Sequence, residues 1–283
     1  MKLHVRMNRF VILLVVLSFL LPSVAADNTV RENTYVINEY QYVSELSLLG
    51  HDTLKEMGYA ESEIEDIMSY KEGFKTHVLM LNKTYTDDEL LSFGYTDDDI
   101  RLIRNYDGTY RSDAQLAANL TIRQWIGSGS ERFMYNSTSN KTTATVYFDF
   151  TWTRIPYWTF EDKLVFVWSD GYRYNATNCT LNYLPYVSNW PRNASPTTLS
   201  DLGCFYYSLP MRGLTDSHIL NNGSGSVQLW NNGQYPDLVL NMYYGHKLLS
   251  PSSISLNFNL LGPSVSFSPS YAIDYINVYK VYS

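Results

Sequence analysis

From Thr143 onward the chain alternates apolar and polar residues: Val146, Phe148, Phe150 and Trp152 fall on one side, and Tyr147, Asp149, Thr151 and Thr153 on the other. Successive side chains of a strand point to opposite faces, so this period of two predicts a half-buried β-strand with the first set inside. Ile254, Leu256, Phe258 and Leu260 repeat the pattern against Ser253, Ser255, Asn257 and Asn259. Between them Leu164 to Trp168, Cys179 to Tyr183, Cys204 to Tyr207, Val227 to Trp230 and Leu238 to Tyr244 read as further strands, bounded by Asp-Gly, Asn-Gly and Pro-containing turns. Roughly seven to nine strands over residues 115–283 predict an all-β sandwich or jelly-roll-like domain, large enough to bury a core of its own.

Upstream the period lengthens. An offset of 36 residues aligns Leu54, Met57, Gly58, Tyr59, Ile64, Ile67 and Tyr70 with Leu90, Phe93, Gly94, Tyr95, Ile100, Ile103 and Tyr106. Each copy reads as a helix ended by glycine, a turn, and a second helix with apolar residues three apart, a small helical hairpin. Two copies fall short of the three or so that a solenoid needs, so the pair is expected to pack together as a four-helix unit. The fold class is therefore α+β, a short duplicated helical-hairpin segment followed by the β domain. Thr86 with Glu89, and Thr96 ahead of Asp97, Asp98 and Asp99, have the spacing of helix caps and carboxylates at helix N-termini. A calcium loop at Asn105-Tyr-Asp107-Gly108 fails on its ligands, because Ile103 and Arg111 occupy positions where oxygen donors are needed.

Charge divides the chain at the same place. Residues 27–113 carry 19 Asp and Glu against 8 Lys and Arg, whereas residues 114–283 carry 9 against 10. This step supports three regions: a signal peptide over 1–26, an acidic helical segment over 27–114 and the aromatic β domain over 115–283. Neither half offers the basic face that nucleic acid requires. In the first region Lys2, Arg6 and Arg9 precede the apolar run Phe10 to Leu21, then Pro22 and the small residues Ser23, Ala25 and Ala26, the layout of a secretory signal cut after Ala25 or Ala26. The competing reading is a membrane anchor, but twelve residues span only about 18 Å as a helix against a hydrocarbon core of roughly 30 Å. Export makes a Cys179–Cys204 disulfide the expected state of the two cysteines, with a metal pair or a reactive thiol as the alternative.

Aromatic residues are dense in the β domain, eleven of them between Tyr147 and Tyr174. Some exceed what one core face holds. Tyr157, Trp158, Trp190, Tyr235 and Tyr243 fall in turns or on polar faces, and of these Tyr157, Trp158, Trp190 and Tyr243 are the candidate ligand-binding residues, since exposed rings stack on sugars or anchor protein interfaces. The competing reading is that strands favour aromatic residues without any ligand. The runs Val146 to Trp158, Tyr244-Gly245-His246 and Gly262-Pro-Ser-Val-Ser-Phe267 resemble a group of secreted β-rich proteins of Gram-positive bacteria. The resemblance covers about the last 140 residues and implies export and an all-β domain, but brings no activity or catalytic residues.

Signals of catalysis are sparse. His51, His77, His218 and His246 lack metal-binding spacing. The serines of Gly127-Ser-Gly-Ser130 and Gly223-Ser-Gly-Ser226 miss the glycine spacing of a nucleophile elbow, and both stretches read as flexible turns. Asp149, Glu161, Asp162 and Asp170 are the β-domain carboxylates from which a glycoside hydrolase would draw its pair. Eight Asn-x-Ser/Thr sequons, at Asn82, Asn119, Asn136, Asn140, Asn175, Asn178, Asn193 and Asn222, matter only in a pathway that glycosylates them. The expectation is a secreted or cell-surface binding protein without catalysis, metal or cofactor, its partner a polysaccharide or a cell-surface protein. A glycan hydrolase and a ligand-free structural or envelope-associated protein are the alternatives, and the helical pair serves as spacer or docking element.

Overall fold

The computed structural model describes residues 32–278 apart from 132, 169–170, 185–191, 201–202, 214–217, 236–237, 239, 248–254, 260–261 and 267–270. The expected signal peptide and Trp190 lie outside the described residues. Strand β1 (Glu32–Asn38) leads into six helices: α1 (Glu39–Leu48), α2 (His51–Glu56), α3 (Glu61–Thr84), α4 (Asp87–Ser92), α5 (Asp97–Arg104) and α6 (Tyr110–Leu116). The strands β2 (Asn119–Ile126), β3 (Met134–Asn136), β4 (Lys141–Trp152), β5 (Glu161–Trp168), β6 (Arg173–Leu184), β7 (Arg192–Asn193) and β8 (Pro196–Ser200) follow. The chain continues through β9 (Cys204–Pro210), β10 (Ile219–Asn232), β11 (Leu240–Lys247), β12 (Ser255–Asn259), β13 (Gly262–Ser266) and β14 (Tyr271–Val278).

Two antiparallel sheets form a sandwich. The first has the order β1-β2-β4-β10-β6-β7 with β3 also on β4, and the second the order β14-β11-β5-β9-β8, while β12 and β13 make a separate ribbon. Val146, Phe148, Phe150 and Trp152 of β4 are all buried, as their alternation predicts, and meet Leu164, Phe166 and Trp168 of β5 and Phe205, Tyr207 and Leu209 of β9 between the sheets. β1 pairs with β2 from Glu32 opposite Trp125 to Asn38 opposite Asn119, so the helices are an excursion out of one edge of the first sheet. Asn38 closes its base: its side chain caps α1, and its amide donates to Asn119 Oδ1 at 2.8 Å and to the Ala114 carbonyl at 3.0 Å.

The duplicated motif folds twice in the same way. Gly58 and Gly94 sit at φ of 93° and 91°. The N–H groups of Gly58 and Tyr59 bond Lys55 and Leu54, and those of Gly94 and Tyr95 bond Leu91 and Leu90, the paired hydrogen bonds of a glycine-terminated helix. Leu54, Ile64 and Ile67 from one copy pack with Leu90, Ile100 and Ile103 from the other. Tyr40 and Val43 of α1 and Leu116 of α6 join the same cluster, so the expected four-helix unit is extended to six helices. Both acidic runs cap as expected: Thr86 with Glu89 and Thr96 with Asp99 form reciprocal capping boxes. No described helix is long and apolar enough to cross a membrane.

Two sequence expectations are overturned. Cys179 and Cys204 are free and buried, not bridged. Side-chain alternation explains it, because Cys179 faces the core between the sheets whereas Cys204, beside the inward Phe205, points to the opposite face of the second sheet among Val165, Val167 and Tyr243. Burial pushes both thiols up to about 12. The folded protein should therefore leave both thiols unreactive toward a disulfide reagent and melt at the same temperature with or without reductant, with two thiols titrating after unfolding; a mass lower by two hydrogens in the native chain would contradict this. The second correction concerns Gly223 to Ser226, which is not a turn but the middle of β10, hydrogen-bonded to β4 on one side and β6 on the other.

Candidate functional site

One face of α3 and the connection between β4 and β5 line an open groove of about 350 Å³, formed by Asp66, Ser69, Tyr70, Glu72, Gly73, Thr76, Tyr157 and Trp158. The α3 residues recur at three- and four-residue intervals, which places them in one row along the helix. Tyr157 and Trp158, two of the sequence-based candidates, are half-buried there. Trp158 stands edge-on to Tyr70 at 4.7 Å between ring centroids, and Tyr157 contacts Tyr70, Phe74 and His77 at 5.5, 6.0 and 5.3 Å. A Cβ at position 73 would stand 2.5 Å from the Tyr157 hydroxyl, so a larger residue there would push the end of that ring aside. Burial, followed by the charges of Glu39 and Asp66, raises the Tyr157 phenol, and burial lowers His77, leaving its ring neutral near pH 7. Tyr70 keeps its hydroxyl buried without a hydrogen-bond partner among the described residues.

A chain of buried polar groups holds this aromatic connection from below. Glu39, the first residue of α1, accepts the backbone N–H groups of Tyr157 at 2.9 Å and Trp158 at 3.1 Å. Its carboxylate lies 3.9 Å from His246 Nε2. His246 Nδ1 stands 3.0 Å from both oxygens of Asp162, and Tyr244 donates to Asp162 at 2.8 Å while receiving the Trp152 indole N–H at 3.3 Å. Glu39, Asp162 and His246 are all at or below 4% exposure, so these charges are screened little by water. Burial alone would lower the imidazole pKa, but the charge and hydrogen bonds of Asp162, reinforced by Glu39, outweigh it and carry His246 up to about 10. The imidazolium is thus shared between a strand carboxylate and a helix carboxylate, and it is not a free base. A second pair bridges the same two layers: Arg154, in the β4–β5 connection, meets Asp99 of α5 at 2.9 Å and donates to the Gln115 carbonyl at 2.7 Å.

The other candidates lie elsewhere. Tyr243 is 8% exposed on the outer side of the second sheet. Asp149 is paired with Arg123 on the first sheet, and Glu161 with Lys163 on the second, so these carboxylates do not face one another across a cleft. Asp170 lies outside the described residues, and of the other three candidate carboxylates Asp162 stands beside a histidine. No described cluster of three or more His, Cys, Asp and Glu side chains could hold a metal ion. Sequence reasoning missed Glu39, whose partners lie 118 and 119 residues away, and nothing local marks it. An acidic residue at the first helical position reads simply as a favourable charge at a helix N-terminus.

No protein-family model matches the chain, and no curated protein matches it. Among solved structures, the C-terminal domain of the AgI/II polypeptide BspA of Streptococcus agalactiae is similar with a TM-score of 0.30 and 7% identity, over 45% of this chain and 53% of that one. ACE19, the collagen-binding subdomain of the Enterococcus faecalis surface protein ACE, gives 0.25 and 6% over 53% and 98% of the two chains. The delta-toxin of Clostridium perfringens gives 0.27 and 7% over 57% and 84%. The match to BspA spans about half the length of that structure, 53%.

Proposed function

We propose that this protein is a non-catalytic extracellular binding protein whose ligand, a carbohydrate of a polysaccharide or cell surface, occupies the groove on α3. The supporting observation is the composition of that groove. Two aromatic rings on one wall oppose the carboxylates of Asp66 and Glu72 and the hydroxyls of Ser69 and Thr76 on the other. A sugar presents both an apolar C–H face, which stacks on rings, and a rim of hydroxyls, which donate to carboxylates. The Tyr70 hydroxyl, without a partner among the described residues, adds a buried group that a ligand hydroxyl would satisfy. Against hydrolysis stands the engagement of Asp149 and Glu161 in ion pairs on separate sheets.

The test is co-sedimentation of the chain from residue 27 onward with cellulose, chitin, peptidoglycan and whole Gram-positive cells. Glu72→Gln and Asp66→Asn alter exposed helix positions and should leave folding intact while weakening pelleting about tenfold, the effect of losing one charge-assisted hydrogen bond. Trp158→Ala should weaken it further, with circular dichroism confirming the fold. Absence of pelleting with every polymer, or pelleting indifferent to all three substitutions, would overturn the assignment.

A further inference from the structure

The outer face of the first sheet carries a feature unrelated to the groove. Trp230 of β10 stands directly opposite Arg173 of β6 and Thr143 of β4. The Lys141 ammonium lies over its indole at 4.4 Å from the centroid and the Arg173 guanidinium at 5.8 Å. Neither cation has a carboxylate within ion-pair distance among the described residues, whereas Arg123, Arg154 and Lys163 of the same domain are each paired with one. A ring quadrupole attracts a cation only weakly at an exposed site and does not neutralise it. Two positive charges without a carboxylate partner among the described residues therefore converge on one ring, in a chain of net charge −7. The sheet around them is open, with Gln228, Ser224 and Asn178 exposed, and the paired Arg123 and Asp149 share this face, the Arg123 guanidinium 5.9 Å from the Trp125 ring centroid. Four residues further along β4, about 13 Å at strand spacing, Tyr147 stacks on Trp125 at 5.8 Å and 15° on the same face.

We infer that this face binds an acidic polysaccharide, the Lys141–Arg173 pair taking the carboxylate or sulfate of one sugar unit and the Trp125–Tyr147 stack a unit further along the polymer. Charge complementarity selects the anion. The hydroxyl- and amide-bearing strip between the two aromatic positions selects a carbohydrate carrier, since it offers a sugar's hydroxyls donors and acceptors along an extended line. Two cations are too few for a nucleic acid backbone, which needs a concentrated basic face.

The experiment is a titration of the full chain at low salt with polygalacturonate and dextran sulfate, with neutral dextran and polyglutamate as comparisons. At least one acidic polysaccharide should bind, neutral dextran should not, and Lys141→Gln/Arg173→Gln should weaken binding about tenfold or more, as expected for removing two charge-assisted contacts. Both side chains lie on the sheet surface, and thermal melts of the double variant verify its fold. Glu72→Gln reports on the groove separately: acidic-polysaccharide binding weakened by Glu72→Gln and not by the double variant would place that binding in the groove and overturn the inference. Equal binding by the double variant, equal affinity for neutral dextran, preference for polyglutamate, or no binding to either acidic polymer would overturn the inference.

Discussion

Replacing Asp162 by alanine is expected to lower the unfolding free energy by about 3–5 kcal/mol, the usual cost of stripping one partner from a buried charge pair. Asp162 is wholly buried, receives the Tyr244 hydroxyl and faces His246 at 3.0 Å through both oxygens. Its removal leaves an imidazolium with a single carboxylate, Glu39, 3.9 Å away, and a buried phenol without its acceptor. Urea unfolding of Asp162→Ala measures the loss. A cycle with His246→Leu separates pairing from packing, because removing both members should cost less than the sum of the two single changes. Additive losses would show that the two residues do not act as a pair.

The same pair fixes a pH signature. His246 has a folded value of about 10 against 6.5 for the free group, so its contribution is whole below pH 6.5, shrinks as the pH climbs and is gone beyond about 10. The groups facing it are Asp162 on β5, Glu39 on α1, and Tyr244 and Trp152 beside it. The stability difference between the native chain and His246→Leu should accordingly narrow from pH 6.5 to pH 10, and a difference that is flat over this window would refute a charged His246. The consequence reaches the groove. Glu39 hydrogen-bonds the backbone of Tyr157 and Trp158, so loosening this cluster should also weaken binding there.

How much of this was legible depends on how local each signal was. The interior face of β4 was readable because one side of the strand is buried along its whole length, and a slip of one residue would invert every side chain. The helical repeat was readable because Gly58 and Gly94 must adopt a left-handed conformation that few other residues tolerate. β1 was not, since Thr34, Tyr35 and Val36 are all exposed on an edge strand and carry no clean alternation. The disulfide expectation failed on a one-residue matter of facing: Cys204 neighbours the inward Phe205, so the two sulfurs sit on opposite sides of a sheet. Asp162 and His246 could each be singled out alone, but only the pairing of β5 with β11 joins two residues 84 apart. Tyr157 and Trp158 were recognised as rings in a turn; the helix that forms the opposite wall of their groove belongs to a segment with no local link to them.

The second large effect is expected at the glycines of β10, where the sequence suggested a flexible turn. Gly223 and Gly225 face inward, and the Phe150 and Phe148 rings fill the space that side chains would otherwise occupy. A Cβ at 223 would meet the Phe150 ring at 2.5 Å and Leu181 at 3.0 Å, all side-chain atoms. A Cβ at 225 would fall on the backbone carbonyl of Asn178, well inside contact distance, as well as 2.7 Å from Phe148. Both alanine substitutions overpack the centre of the first sheet and should cost about 1–3 kcal/mol, with Gly225→Ala at the top of that range or beyond. Their rescue should differ. Phe150→Leu removes the atoms that collide with Ala at 223, so Gly223→Ala/Phe150→Leu should be more stable than the two separate losses predict. Phe148→Leu cannot relieve Gly225→Ala, because the obstruction there is the β6 backbone, which moves only by breaking its ladder with β10. Denaturant midpoints of the two double variants decide the matter, and equal recovery in both would show that side-chain crowding alone, and not the close approach of strand β6, keeps position 225 a glycine.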